Sequence, residues 1–406
     1  MVTAFDLNLR HLGAIVAIGR LGSISAASAH VNLSQPALTQ ALAKMEQVLE
    51  DDLFDRQPSG AVPTPHGALF ITRAERAIAL IVEAGRLVRR DARLPPIAHL
   101  ERSVSMIQLR ALATVERAGS YALAARETHL SQPSVHRAVK ELELIVGVPL
   151  LVRAGRTMRA TAAAERMVRA TRLAERELQA GLDELQAAKR AGSGQVAIGS
   201  LPLARAAFLP SALAKFSALY PHAQIRIVEG PYGELLAALR QGDIDMLLGA
   251  LRDPAGTPDV VQTSLFADEL SIVARAGHPL GQRAGPTMTE LAEYPWVINP
   301  PGAPIRSKWE AMFRDAGVEP PALRIECGSI LVIRGLLLEG DWLALLSQDE
   351  YRLEQHAGLI SPIGNPVAGS LRQIGISTRL GWRPTSTQAG MIAMLEALAA
   401  ERTSGI

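Results

Sequence analysis

The chain has 406 residues, 48% of them hydrophobic and 20% charged, with a formal net charge of +2. That length and composition predict a globular protein of several domains. The single cysteine, Cys327, excludes an internal disulfide and fits a reducing, cytoplasmic setting. The start of the chain lacks a basic segment followed by an apolar one, and Arg73, Glu75, Arg76, Glu83 and Arg86 break the apolar stretch 68–88. Neither a cleaved leader nor a membrane span is therefore expected. The small net charge hides an asymmetry. Residues 1–194 carry +6 and residues 195–406 carry −4, which points the N-terminal part toward a polyanion.

Leu33-Ser34-Gln35-Pro36 recurs as Leu130-Ser131-Gln132-Pro133, 97 positions on. Without gaps, Leu12, Arg20, Gly22, Ser23, Ala27, Glu46, Leu53, Arg56 and Thr64 meet Leu109, Arg117, Gly119, Ser120, Ala124, Glu143, Leu150, Arg153 and Thr161. An internal repeat is thus expected: residues 1–67 as one module and 101–164 as its second copy.

In the first copy, apolar residues at helical spacing predict a helix over 9–19. Gly22-Ser23 ends it and caps a short, Ala-rich second helix over 25–30. Ser34 caps a third helix with Pro36 in its first turn, burying Leu38, Leu42, Met45 and Leu49. Its other face offers Gln35, Thr39, Gln40 and Lys44. Two short helices joined by a tight turn, the second capped and polar outside, form the helix-turn-helix pattern, which lays its second helix in the DNA major groove. Gln reads adenine edges there, while Ser and Thr donate or accept adaptably. Leu53-Phe54 and Val62 predict a two-stranded wing around Pro58-Ser59-Gly60, with Arg56 placed to neutralise phosphate.

The second copy predicts helices over 106–118, 122–128 and 132–146, the last capped by Ser131 with Pro133 inside. Gln132, Ser134, His136, Arg137 and Lys140 face outward. Its wing holds Arg153, Arg156 and Arg159, a composition suited to phosphate contact. Long amphipathic helices are expected over 68–93, stopped by Pro95-Pro96, and over 165–190. They lie in linker segments 68–100 and 165–194. On charge, the second copy is expected to be the stronger binder.

The sequence Leu33-Ser34-Gln35-Pro36-Ala37-Leu38-Thr39, followed by Met45-Glu46, Leu53-Phe54-x-Arg56 and Thr64-Pro65-x-Gly67, resembles the DNA-binding signature of LysR-type transcriptional regulators. The second copy shares it through Leu142-Glu143, Gly147 and Leu150-Leu151-x-Arg153. The family normally carries one such module per chain, so the duplication is a departure. Glu50 stands where a helix-ending glycine is usual, beside Asp51, Asp52 and Asp55. In the second copy Leu151 replaces the usual phenylalanine, and Ala162–Ala164 replace Pro-x-Gly. The resemblance implies double-stranded promoter or operator DNA and a small-molecule effector as partners. It also implies a homodimer or homotetramer paired through linker helices, with RNA polymerase as a further contact. The repeat adds the expectation that the two linker helices pair within one chain, mimicking a dimer of DNA-binding modules.

From residue 195 the pattern changes to short apolar strands at 195–199, 225–229 and 245–249, with helices over 209–220 and 233–241 between them. Alternation of this kind predicts a parallel α/β sheet. A second set follows: strands at 266–274, 296–298, 324–327 and 343–346, and helices over 305–316 and 330–338. A strand at 371–378 and a helix over 385–400 close the chain. The resemblance implies a two-lobed, periplasmic-binding-protein-like effector domain over 195–406. Lobe I covers about 195–265 and 367–406, and lobe II about 266–366. The whole is multidomain: two all-α winged helix-turn-helix modules with linker helices, then this α/β domain. Ligands in such sheets sit at the carboxyl ends of strands. Ser200, Tyr232, Asn299, Arg306 and Ser329 are the expected effector-binding residues. Arg306 and two helix starts point to a small organic anion.

No HExxH, GxGxxG, GxxxxGK[ST] or GxSxG pattern occurs, so no metal, cofactor or catalytic residue is expected. A lone Cys327 reads as a small hydrophobe. The chain reads as a ligand-responsive DNA-binding regulator and not an enzyme. The alternatives are an architectural DNA-bridging protein without ligand response and an enzyme with a DNA-binding head.

Overall fold

The computed structural model describes residues 2–57, 60–190, 192–252, 257–282 and 285–403. The chain divides into two compact units, one formed essentially by residues 1–195 and one by the rest.

The first unit begins with α1 (Leu9–Leu21), α2 (Ile24–Val31) and α3 (Gln35–Leu49), then a hairpin of β1 (Phe54–Gln57) and β2 (Gly60–Pro63), and the long α4 (Pro65–Asp91). A short α5 (Leu100–Ser103) leads into α6 (Met106–Ala118), α7 (Tyr121–Thr128) and α8 (Gln132–Val146). The hairpin of β3 (Leu151–Ala154) and β4 (Thr157–Ala160) and the long α9 (Ala162–Lys189) complete the unit. The 97-residue offset persists in the hydrogen bonds. The Leu53 amide donates to Glu46 Oε1 at 3.0 Å, and the Leu150 amide to Glu143 Oε1 at 2.8 Å. The Thr64 hydroxyl donates to the Asp52 carbonyl at 2.8 Å, and Thr161 to Pro149 at 3.0 Å. Ala61 and Met158 tie each wing to the Gly22 and Gly119 carbonyls, at 2.9 and 2.7 Å. These bonds hold each wing against its helices, so the repeat is one of tertiary structure as well as sequence.

The third helices are capped as their sequences require. The Ser34 and Ser131 hydroxyls accept from the amides three residues on. They end differently. Gly147 closes α8 at φ 80°, whereas Glu50 closes α3 at φ 53°, a left-handed conformation that costs a non-glycine residue about 1–2 kcal/mol.

The two long helices pack antiparallel. Phe70 near the start of α4 meets Gly181 near the end of α9, where a Cβ would lie 3.0 Å from the ring. At the other end Arg166 donates to Asp91 at 3.0 Å. Phe70, Ala74, Ala77, Ile81 and Val88 of α4 and Met167, Ala174, Leu178, Leu182 and Leu185 of α9 are buried. Their spacings of three, four and seven give each helix one apolar stripe. This seam belongs to a single hydrophobic core that runs through both modules.

The second unit is two-lobed. Lobe I contains β5 (Ser193–Ser200), α10 (Phe208–Leu219), β6 (His222–Glu229), α11 (Tyr232–Gln241), β7 (Met246–Ala250) and β8 (Val260–Asp268). Lobe II contains β9 (Leu270–Arg275), α12 (Met288–Ala292), β10 (Val297–Ile298), α13 (Pro304–Asp315), β11 (Ile325–Glu326) and α14 (Ile330–Glu339). It continues with β12 (Ala344–Ser347), α15 (Gln348–His356) and β13 (Ile360–Ile363). The chain returns to lobe I with β14 (Arg372–Arg379) and α16 (Ser386–Thr403). The lobe I sheet has order β6-β5-β7-β14-β8. It is mixed rather than parallel, because β14 runs antiparallel to β7 and β8. The expected single strand over 266–274 is two strands in two sheets, since β8 finishes lobe I at Asp268 and β9 starts lobe II at Leu270. Near this crossing Arg372 holds Asp268 at 2.8 Å, and the Val367 amide donates to the Leu270 carbonyl.

Candidate nucleic-acid interface and effector cleft

Each winged module presents its third helix with the predicted polar face outward. Ser34, Gln35, Pro36, Gln40 and Lys44 are exposed, and so are Ser131, Gln132, Pro133, Ser134, His136, Arg137 and Lys140. Thr39 is half-buried, and its hydroxyl donates to the Gln35 carbonyl at 3.0 Å. It is therefore free only to accept.

The cations differ from expectation in detail. Lys140 faces out, but its ammonium donates to Glu143 at 2.6 Å, which holds the lysine pKa above its ordinary value. Lys140 is thus partly neutralised. Burial works against the Glu143 charge, and Lys140 with the Leu150 and Leu151 amides outweighs it, leaving the carboxyl below the usual range. Arg153 is exposed and donates to the Gly155 carbonyl at 3.2 Å, bracing the wing turn. Arg137, Arg156 and Arg159 are exposed and make no hydrogen bond or ion pair among the described residues. His136 lies edge-on to Tyr121 with ring centroids 5.0 Å apart, which fixes its direction. In the first module the side chain of Arg56, and Pro58 and Ser59, fall outside the described residues. Asp51 is engaged from behind by His66 at 3.4 Å and Lys189 at 3.8 Å, so it is not a free charge beside the helix. Asp52 and Asp55 remain exposed. Among the described residues, the free arginines of the third helices and wings, Arg137, Arg156 and Arg159, lie on the second module.

The helices that carry the modules are locked together by buried charge. Arg73 of α4 donates to Glu177 at 3.1 Å and Glu184 at 2.9 Å on α9, and Arg76 donates to Glu177 at 2.9 Å. Burial opposes the Arg73 charge, and the two carboxylates outweigh it, holding its pKa above the ordinary value. The end of each long helix also reaches the other module. Arg89 donates to the Val146 carbonyl at 2.9 Å, and Lys189 to the Leu49 carbonyl at 3.4 Å and the Glu50 carbonyl at 2.5 Å. Leu49 and Val146 are equivalent positions of the repeat, so each third helix has its C-terminal carbonyls capped by a cation from the opposite copy.

Four of the five expected effector residues fall two to a lobe. Ser200 ends β5 and is fully buried, and Tyr232 starts α11 after neighbouring β6, with the Arg252 guanidinium 4.1 Å from its ring centroid. In lobe II, β10 and β11 run parallel, and their carboxyl ends place Asn299 beside Gly328-Ser329. The side chains of Ala303 and Ser329 leave the starts of α13 and α14 uncapped. Arg306 is not the free charge that the sequence suggested. It donates to Glu310 and Glu326 at 2.6 Å each, which raises its pKa and cancels the positive charge expected to face a ligand. No hydrogen bond joins the two pairs among the described residues. The sequence reading missed a cavity of about 650 Å³ between α10, α15 and α16, lined by Phe208, Lys215, Asp349, Arg352, His356 and Arg402. Asp349 bridges the lobes beside it, accepting from the Phe208 amide at 3.0 Å and Arg402 at 2.7 Å.

Winged helix-turn-helix modules joined to a two-lobed α/β domain define a DNA-binding regulator with a small-molecule-binding domain. Comparison with known proteins gives the family. The model described as bacterial regulatory helix-turn-helix protein, lysR family, matches residues 9–68 and again 106–165. The LysR substrate binding domain model matches residues 189–402. The chain belongs to the LysR family of transcriptional regulators. It is 31% identical over 400 residues to the HTH-type transcriptional regulator GalR of Pseudomonas putida, covering 97% of this chain and 98% of that protein. It is 32% identical over 269 residues to CfxR of Cupriavidus necator, covering 66% of this chain and 84% of that protein. The alignment with GalR runs through both modules. A full-length OxyR variant from Pseudomonas aeruginosa shares the fold at TM-score 0.53 and 20% identity, over 71% of this chain and 97% of that one. CbnR, a LysR family regulator, does so at 0.50 and 20%, over 72% and 98%.

Proposed function

We propose that this chain is a cytoplasmic, non-enzymatic regulator that binds promoter or operator DNA through α3 and α8. Its modules span 1–67 and 101–164, its linkers 68–100 and 165–194, and its effector domain starts at 195. Gln35, Thr39, Gln40 and Lys44, and Gln132, His136 and Arg137, read bases. Arg56, Arg153, Arg156 and Arg159 contact phosphate, and Lys140 and the Ser34-Pro36 and Ser131-Pro133 turns set the approach. The observation that carries this is the outward polar face of two helices with the same serine N-cap, one with a free arginine. Affinity for a selected duplex at fixed salt tests it. Gln132→Ala with Arg137→Ala is expected to weaken binding by at least about tenfold, since each base contact is worth roughly 1–3 kcal/mol. An unchanged affinity for both this pair and Gln35→Ala with Gln40→Ala would contradict it.

The effector domain binds a small organic molecule between its lobes, contacting Ser200, Tyr232, Asn299 and Ser329. Closure on that molecule shifts the DNA-binding modules within a homo-oligomer at a promoter served by RNA polymerase. An organic anion retains the support of the open starts of α13 and α14, while Arg306 acts only by positioning. The cavity beside Asp349 is the second place where a ligand would bridge the lobes. A thermal-shift screen of organic acids, repeated with Asn299→Ala and with Arg352→Ala, separates them: loss of the shift in the first variant alone supports the cleft.

A further inference from the structure

Resting on that reading, we propose that one chain is a complete two-headed DNA reader, built from unlike heads, and that its operator is a pair of unlike half-sites bound by a single chain. The apolar stripes of α4 and α9 bury against each other inside the chain, within one continuous core. The Arg73–Glu177–Glu184 cluster seals that seam. Neither stripe is left to pair with a second chain. The reciprocal caps, Arg89 on the Val146 carbonyl and Lys189 on the Leu49 carbonyl, give the pair the self-complementary contacts of a two-fold dimer. Two identical heads related in this way read a palindrome. Here the heads differ at the positions that touch bases. Repeat positions 39 and 40 carry Thr39 and Gln40 in the first head and His136 and Arg137 in the second. Gln35 and its counterpart Gln132 offer a side-chain amide in both heads and Gln40 adds a second in the first head alone, and such amides pair with the N6 and N7 edge of adenine. Arg137 offers a free guanidinium, which pairs with O6 and N7 of guanine. The first head therefore specifies an adenine-containing half-site and the second a guanine-containing one, and their order on the DNA fixes the orientation of the chain.

The test uses the full chain and a library of randomised duplexes. Selection is expected to enrich a bipartite motif with unlike halves, and native mass spectrometry to find one chain per motif. Gln35→Ala with Gln40→Ala is expected to relax preference in one half only, and Arg137→Ala in the other only. Each should cost at least about fivefold on the matching half-site. All three side chains are exposed, so folding is not at stake. An inverted repeat that holds two chains would overturn the proposal while leaving the regulator reading intact. So would insensitivity to either set of variants. Enrichment of no sequence at all would bring down both.

Discussion

Arg73→Ala tests whether buried charge holds the two DNA-binding heads together. The Arg73 side chain is 6% exposed, and Glu177 and Glu184 are 10% and 11% exposed. Removing the guanidinium leaves Glu177 with Arg76 but strands Glu184, whose hydrogen bonds among the described residues all come from Arg73. A buried charge deprived of its partner costs roughly 3–5 kcal/mol. For a unit of nearly 200 residues, each kcal/mol lowers Tm by about 2–4 °C, so a fall of ~6–20 °C is expected. The two units offer separate signals. The first is almost entirely helical, and Trp296, Trp309, Trp342 and Trp382, the chain's only tryptophans, all lie in the second. Circular dichroism at 222 nm should therefore show an early transition in the variant, while the tryptophan-fluorescence midpoint stays in place. Arg73→Met with Glu184→Leu removes both charges and should recover most of the loss, because apolar replacement of a buried pair is close to neutral. A shift below about 1 kcal/mol for Arg73→Ala, or an equal shift in both signals, would refute the reasoning.

Three further outcomes follow from particular residues. Glu50→Gly should stabilise the first unit by about 0.5–1 kcal/mol in urea titration, since glycine accepts φ 53° without strain and Lys189 bonds only the backbone there. Arg156→Ala with Arg159→Ala should weaken binding to all duplexes alike and reduce the slope of log K against log salt by about 0.9 per arginine. A sequence-dependent loss would instead place those arginines on base edges. Burial pushes the Glu350 carboxyl up, partly countered by the Ser347 amide and Arg372. A raised carboxyl pKa gives stability that is complete below the unfolded value and is lost as pH rises through the folded one. Fluorescence-detected urea midpoints should therefore fall as pH rises above the ordinary carboxylate range, and Glu350→Gln should flatten that fall. A midpoint that rises over the same interval in both proteins would contradict the assignment.

The N-terminal architecture was legible because its determinants are local. The serine caps, the prolines and the helix-ending Gly119 and Gly147 act within a few residues, and the repeat doubled every signal. Helices α6 and α8 run over the residues that periodicity indicates. Pairing of α4 with α9 could be anticipated from the repeat, but the ion cluster could not, since Arg73 and Glu184 lie 111 positions apart. In the effector domain, strand direction was illegible: β14 has the apolar pattern of its neighbours and runs opposite to β7 and β8. The polar helix α15 went unrecognised, although Ser347 and Glu350 form a capping box that marks its start. Arg306 misled because its partners, Glu310 and Glu326, are visible only once α13 lies beside β11. Lys140 shows the same effect at short range, three residues from Glu143.

The measurement that bears most directly on regulation by sequence-specific binding is a ratio of affinities. The full chain is titrated, at one physiological salt concentration, against its selected duplex and against the same bases scrambled. A regulator of this design is expected to prefer the selected duplex by at least ~10³-fold, with the preference reduced by Arg137→Ala. Equal affinity for the two duplexes would contradict the account and leave only a protein that bridges DNA without reading it.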